Sequence, residues 1–317
     1  MLAAAVVCPC PPLLVPALAA GAARETEELR EVCRAALRRL LASDADRLIV
    51  VGPADRPLGA IDPREDGEGP APGPRALPAG TPGSFAGLGV PLEVTLGSAD
   101  APGREGDPAD DADPVPPVVG LPLAHAVAAV LLGDVTTTGA GGAPVPPPIS
   151  GLVLPPGLSP ERCLEVGREL GAGAPGDRVA LLVMGDGSAC RGPRAPGWHD
   201  DRAEDFDAGV SAALAAVDTA ALAALDPDLA DELRAVGRPG WQVLAGAADA
   251  GADADTGSGG PHGELRGELL HDAAPYGVAY PVALWYREGT DVGSADPSDD
   301  RTGAAHSAGA APSSLRD

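Results

Sequence analysis

At 317 residues the chain is long enough for one large α/β domain or two smaller ones around a substantial core. Its formal charge of −24, from 46 acidic residues against 22 basic ones, all arginine, repels phosphate backbones and anionic membrane surfaces, which argues against nucleic acid or membrane as partner. Five cysteines are an odd number for a disulfide framework and fit a reducing, cytoplasmic compartment. The 43 glycines and 36 prolines, together with the absence of lysine and asparagine, read as the coding bias of a high-G+C genome and carry little physical information.

The chain opens on a short apolar run that ends in Cys8, Cys10 and a proline cluster, AVVCPCPPLLVP. Val6 and Val7 predict a buried strand that Pro9, Pro11 and Pro12 terminate, because proline cannot donate to a ladder. Side chains alternate along a strand, so Cys8 and Cys10 share a face. That pair is a candidate for metal or thiol chemistry, with Cys8 the more ordinary packing residue. The same prolines break the N-terminal apolar stretch before it forms a signal h-region, and no segment reaches the roughly 18 uninterrupted apolar residues of a spanning helix.

From Arg24 to Leu41, apolar residues recur at helical spacing between glutamates at the start and arginines at the end, an amphipathic helix with charges that complement its dipole. Cys33 falls on its apolar stripe. Leu48 to Val51 is a continuous apolar run of strand length ending at Gly52-Pro53, so strand, helix and strand form a βαβ unit with the first two strands as expected neighbours. Ligands of open α/β sheets bind outside the C-terminal strand ends, which places Cys10 and the turn through Ala54 and Asp55 at one crevice.

Residues 56–83 and 98–117 are rich in Pro, Gly and acid and are expected to be exposed loops, as are 134–148 and 248–263. Between the first two, Val90 to Leu96 alternates as a strand. Leu121 to Leu132 predicts a buried helix with His125 as a hydrogen-bonded core residue. Leu152 to Leu154 precedes a helix opened by a Ser159 cap and Pro160. Val179 to Met184 is the strongest strand, and the turn after it, Gly185 to Cys190, gathers Asp186, Ser188 and Cys190 as candidate catalytic residues. Helices follow from Phe206 to Leu225 and after Asp226-Pro227. Trp241 to Ala247 reads as a strand, Glu264 to His271 as a short helix or edge strand, and Val278 to Tyr286 as a closing strand that Pro281 marks as an edge or a bulge. Residues 288–317 lack any core-forming pattern and are read as a disordered tail after a single domain over 1–287.

These landmarks together resemble the class III extradiol ring-cleavage dioxygenases and their Memo-like relatives. The resemblance rests on Cys10 to Pro16, Asp46 to Pro53, Gly185-Asp186-Gly187-Ser188, Phe206-Asp207, Gly237 to Ala247 and Tyr276 to Tyr280, in the family's order. It implies one α/β domain with a mostly parallel or mixed central sheet flanked by helices, and an Fe(II) site of two histidines and a glutamate assisted by a further histidine. This chain departs from that pattern at each position: Cys10 precedes the double proline, Ala54 and Asp55 follow the second strand, Ala189 ends the Gly-Asp-x-Ser turn, and Val236 stands before the Gly-x-x-x-Trp stretch, with Glu232 one turn earlier. The expectation is a dioxygenase-like protein that has lost the iron site and keeps a crevice for a small molecule or a protein partner. The alternative is an enzyme rebuilt around Cys10, Asp186 and Cys190, with Asp55 or His199. In that reading Cys10 and Asp55 are candidate metal ligands, and a thiolate donor favours zinc over iron. The family's enzymes commonly associate as dimers or with a second, different chain, so a homodimer is a further expectation.

Overall fold

The computed structural model describes residues 1–55, 73–98, 120–137, 146–174, 176–255 and 263–287. The expected tail, and most of the expected loops at 56–83 and 98–117, lie outside the described residues.

In chain order the strands are β1 (Leu2–Cys8), β2 (Arg47–Pro53), β3 (Arg75–Leu77), β4 (Thr81–Ser84), β5 (Glu93–Leu96), β6 (Ile149–Leu154), β7 (Val179–Met184), β8 (Leu265–His271) and β9 (Val282–Arg287). The helices are α1 (Pro16–Ala19), α2 (Glu27–Leu41), α3 (Leu123–Thr137), α4 (Pro160–Ala172), α5 (Arg202–Ala216), α6 (Thr219–Ala223), α7 (Pro227–Glu232) and α8 (Arg238–Asp255). Seven strands form one mixed sheet in the order β3-β6-β2-β7-β1-β9-β8, while β4 and β5 make a separate hairpin. The centre, β6-β2-β7-β1, is parallel, and the strands outside it are antiparallel.

Helices cover both faces, which is why the central strands are apolar throughout instead of alternating. Val6, Cys8, Leu48, Val50, Leu182 and Met184 face α2 and α3, together with Cys10. Val7, Ile49, Val51, Leu181 and Val183 face α4, α5 and α8. Cys8 and Cys10 thus share a face, as strand alternation requires. No helix among the described residues is long and apolar enough to cross a membrane.

Four expectations are corrected. β1 and β2 are not neighbours, because β7 lies between them and pairs in parallel with both. The run Val179 to Met184 is apolar on both faces and can sit at the centre of a sheet, and chain adjacency does not fix lateral order. Within 56–83, Leu77 is fully buried in β3 and residues 81–84 form a hairpin strand with β5. Residues 248–255 continue α8 instead of forming a loop.

The fourth correction is Trp241 to Ala247, which is the first half of α8 and not a strand. Trp241, Val243, Leu244, Ala245 and Ala247 are all buried, because this helix is enclosed by α4, α6 and the sheet. A helix buried on every side has no polar face, so a short window of it is indistinguishable from a buried strand. Its contact with α4 is backbone to backbone: a Cβ at Gly167 would lie 2.1 Å from Val243 O, one at Gly171 2.3 Å from Ala247 O, and one at Gly246 2.2 Å from Leu164 O.

The local rules hold elsewhere. Ser159 Oγ accepts from Arg162 N–H at 3.3 Å with Pro160 opening α4, and Asp226 accepts from Asp228 and Leu229 N–H at the start of α7. His125 is fully buried and its Nε2 pairs with Leu152 O at 3.1 Å. Residues 264–271 resolve to the edge-strand alternative, β8.

Candidate functional site

Parallel strands β1, β2 and β7 end at the same edge of the sheet, and their C-terminal turns open onto one cavity of about 370 Å³. Cys10, Pro11 and Pro12 come from the turn after β1, Pro53, Ala54 and Asp55 from β2 and its turn, and Asp186 from the turn after β7. Val236 comes from the turn before α8 and Arg238 from the start of α8, Ala230 and Asp231 from α7, Leu123 and Ala124 from α3, and Val278 and Tyr280 from the approach to β9.

Contacts made by very small residues hold these segments together. Gly185 meets Gly237 so closely that a Cβ on the former would lie 2.4 Å from the Cα of the latter, and Gly237 N–H donates to Asp186 O at 2.9 Å. Only glycine on both sides permits this approach. Gly187 packs in the same way against Ala279, its N–H donating to Ala279 O at 2.8 Å. The Gly-Asp-Gly-Ser turn is therefore pinned between the N-terminus of α8 and the approach to β9, which fixes the position of Asp186.

Asp186 Oδ1 accepts the backbone N–H of Cys10 at 2.7 Å, joining the ends of β7 and β1. The carboxylate is partly exposed toward the cavity. Burial raises its pKa from the usual aspartate range to about 6, against the opposing pull of Cys10. The Cys10 thiol is pushed well above its ordinary value, first by burial and then by the adjacent Asp186 charge. Tyr280 is 3% exposed, and its phenol is raised by burial, then by Asp186 and Cys10. At neutral pH the trio is one carboxylate flanked by a protonated thiol and a protonated phenol.

Asp55 also lines the cavity, but its Oδ1 accepts the N–H of Leu123 at 2.8 Å and caps α3. Arg238 is buried, and burial lowers its pKa. Its Nη1 donates to Leu158 O at 2.6 Å and Gln242 Oε1 at 3.0 Å, and its Nη2 to Pro156 O at 2.9 Å. Most of its donors are spent on tying the loop before α4 to α8.

Of the residues named from sequence, the structure brings Cys10, Asp55 and Asp186 to the cavity, along with Ala54 and Val236. It places Ser188 and Cys190 elsewhere. Ser188 is fully buried, donating from N–H and Oγ to the two oxygens of Asp207 at 2.8 and 2.6 Å, a brace between the turn and α5. Cys190 Sγ lies 3.3 Å from Gly197 O and 3.5 Å from Leu233 O, and burial raises its pKa. His199 is outside the cavity, its Nε2 3.0 Å from Asp201. Glu232 pairs with Arg202 at 2.9 Å. A site rebuilt from Cys10, Asp186 and Cys190 is thus not assembled.

Sequence reasoning assigned no role to Tyr280, Arg238 or Asp231. Arg238 carried a usable signal: an arginine opening a helix opposes the dipole, which calls for a local reason. Reading 241–247 as a strand concealed it.

Among the described residues no three His, Cys, Asp or Glu side chains are grouped so that they could hold a metal ion. The iron implied by the resemblance also fails on donor chemistry. Among the described residues neither histidine nor glutamate lines the cavity, so the two-histidine, one-glutamate set that the resemblance implies is not present there. Cys10 and Asp55 both line the cavity, Asp55 with its Oδ1 engaged by the Leu123 N–H.

No protein-family model matches this chain, and no curated protein matches it. Among solved structures it is similar to the crystal structure of an uncharacterized protein, JW3007, from Escherichia coli K12, at 12% identity and a TM-score of 0.45, over 89% of this chain and 99% of that one.

Proposed function

We propose that this chain is an extradiol dioxygenase-like protein without an Fe(II) centre, whose cavity binds a small organic molecule. The observation that carries this reading is the convergence of Cys10, Ala54 and Val236, three of the positions where the resembled family has its ligands and neighbouring groups, on one cavity in which no histidine or glutamate is found among the described residues. A volume of about 370 Å³ falls at the small end of the range of ligand pockets.

The test combines metal analysis of the purified protein, ring-cleavage assays on catechols after anaerobic Fe(II) loading, and a fragment screen by protein-observed NMR. The expected outcome is no stoichiometric metal, no ring-opened product, and fragments that perturb resonances of Cys10 and Tyr280. Stoichiometric metal or catalytic ring opening overturns the loss of the iron centre. A screen in which no fragment perturbs the cavity overturns the binding reading.

A further inference from the structure

Two features of the cavity lack a protein partner. Asp186 forms no ion pair among the described residues; its side-chain bonding comes from Cys10, a neutral donor whose N–H lies at 2.7 Å. Tyr280 is 3% exposed and lines the same cavity, yet its hydroxyl has no hydrogen-bond partner among the described residues. A hydroxyl open to the cavity keeps its hydrogen-bonding capacity for a ligand, and a carboxylate drawn out of bulk water without a cation is costly. The ionisable groups around Asp186 do not supply the missing charge. Cys10 and Tyr280 are neutral donors, Asp55 adds negative charge, and the Arg238 guanidinium, which donates to Leu158, Pro156 and Gln242, has Asp231 as its electrostatic counterpart and not Asp186. The same cavity is also lined by the apolar side chains of Pro11, Pro12, Pro53, Leu123 and Val278.

We propose that the cavity takes a primary organic amine, its ammonium group donating to the Asp186 carboxylate and to the Tyr280 oxygen while its hydrocarbon body lies on the proline and leucine wall. An ammonium satisfies both features at once, supplying the cation to Asp186 and protons to two acceptors. A charge-assisted bond of this kind is about twice as strong as a neutral one, which favours an amine over an alcohol of the same shape. A carboxylate ligand would meet the like charges of Asp186 and Asp55 in the same cavity. This inference rests on the small-molecule reading above and names the ligand class of that same site.

The experiment is isothermal titration calorimetry at pH 7.5 with three probes of matched shape, 2-phenylethylamine, 2-phenylethanol and 3-phenylpropanoate, on the full chain and on two variants. The amine is expected to bind at least about tenfold more tightly than the alcohol, with the carboxylate weakest. Asp186→Asn keeps the shape and the acceptor for Cys10 N–H, and should abolish the preference for the amine. Tyr280→Phe keeps the ring, and should weaken the amine about threefold while the preference over the alcohol remains. Equal affinity for amine and alcohol, a preference for the carboxylate, or an amine preference that survives in Asp186→Asn each overturns the proposal. If none of the three binds but other fragments do, the amine inference falls alone; if no fragment binds, the small-molecule reading falls with it.

Discussion

Replacing Gly167 by alanine tests both the helical assignment of residues 241–247 and the way α8 is held against the cavity. The added Cβ would lie 2.1 Å from Val243 O, 2.8 Å from Ala247 N and 2.9 Å from Gly246 Cα, against an ordinary contact of 3.4 Å or more. All three neighbours are backbone atoms of α8, so no side chain can swing aside, and the two helices must part by about 1 Å. Separation on that scale forfeits a quarter to a half of the dispersion energy along the interface, and overpacking in cores costs roughly 1–3 kcal/mol. Alanine regains up to about 1 kcal/mol of helix propensity over glycine. The steric term is larger, and the expected net loss is about 1–2 kcal/mol. Gly209 on α5 supplies the control: nothing lies within 4 Å of its would-be Cβ, so Gly209→Ala should stabilise by up to about 1 kcal/mol. Urea denaturation read by circular dichroism should therefore move the two midpoints in opposite directions. Because α8 carries Arg238 at its start and is preceded directly by Val236, Gly167→Ala should also weaken ligand binding in the cavity. A Gly167→Ala protein as stable as Gly209→Ala would refute the close α4–α8 contact and, with it, the reason given for the absence of a polar face on α8.

Three further outcomes follow from the buried polar groups. Ser188→Ala removes one of the two donors to Asp207, itself 3% exposed, and should cost about 1–3 kcal/mol in chemical denaturation while leaving ligand affinity unchanged; a large effect on affinity with no loss of stability would return Ser188 to the site. Burial holds the His125 pKa at about 4, below its unfolded value, so the unfolded chain binds the extra proton between about pH 4 and 6.5 and stability falls as pH drops through that window, by roughly 3 kcal/mol. His125→Gln, which keeps a donor for Leu152 O, should flatten this dependence in denaturation midpoints measured from pH 4 to 7, and an unchanged slope would remove His125 as its source. Asp186 works in the opposite sense: its folded pKa of about 6 lies above the unfolded value, so its contribution is favourable at low pH and lost as pH rises through 6. Asp186→Asn should accordingly be more stable than the parent above pH 6, by on the order of 1 kcal/mol given the partial exposure of the carboxylate, and equal or lower stability at pH 8 would show that the carboxylate is compensated.

The parts of the fold that were legible are those whose cause is local. Runs such as Leu48 to Val51 and Val179 to Met184 are legible as strands because they are short, aliphatic and cut off by Gly-Pro or Gly-Asp turns, and Ser159-Pro160 marks a helix start by its own hydrogen bonding. What was not legible depends on neighbours distant in sequence. β7 enters between β1 and β2 after more than a hundred intervening residues, and α8 looks like a strand because of what encloses it. The site divides along the same line. Cys10, Asp55 and Asp186 stand at strand ends and are placed by the rule that parallel strands finish at one edge. Tyr280 and Arg238 reach the cavity through the approach to β9 and the start of α8, for which the sequence offers no comparable rule. Ser188 and Cys190 were adjacent in sequence to Asp186, but the turn points them away from it, one into Asp207 and the other under the loop at Gly197.

The contacts that bring the cavity's segments together leave several of its lining positions free to vary without loss of shape. Gly185 against Gly237 sets α8, Asp55 capping Leu123 sets α3, the Cys10 N–H on Asp186 joins β1 to β7, and Gly187 against Ala279 sets the approach to Tyr280. None of these contacts uses the side chains of Ala54, Ala189 or Val236, and at Cys10 the bracing bond is made by the backbone N–H. Side chains at those positions are therefore free to change while the frame persists, as expected when function is carried by residues set onto a fold and not by the fold itself. Asp186 is the exception, because its one carboxylate both braces the frame through Cys10 and faces the cavity without a cation. The same group that closes the edge of the sheet is thereby the group that a ligand's charge would complete.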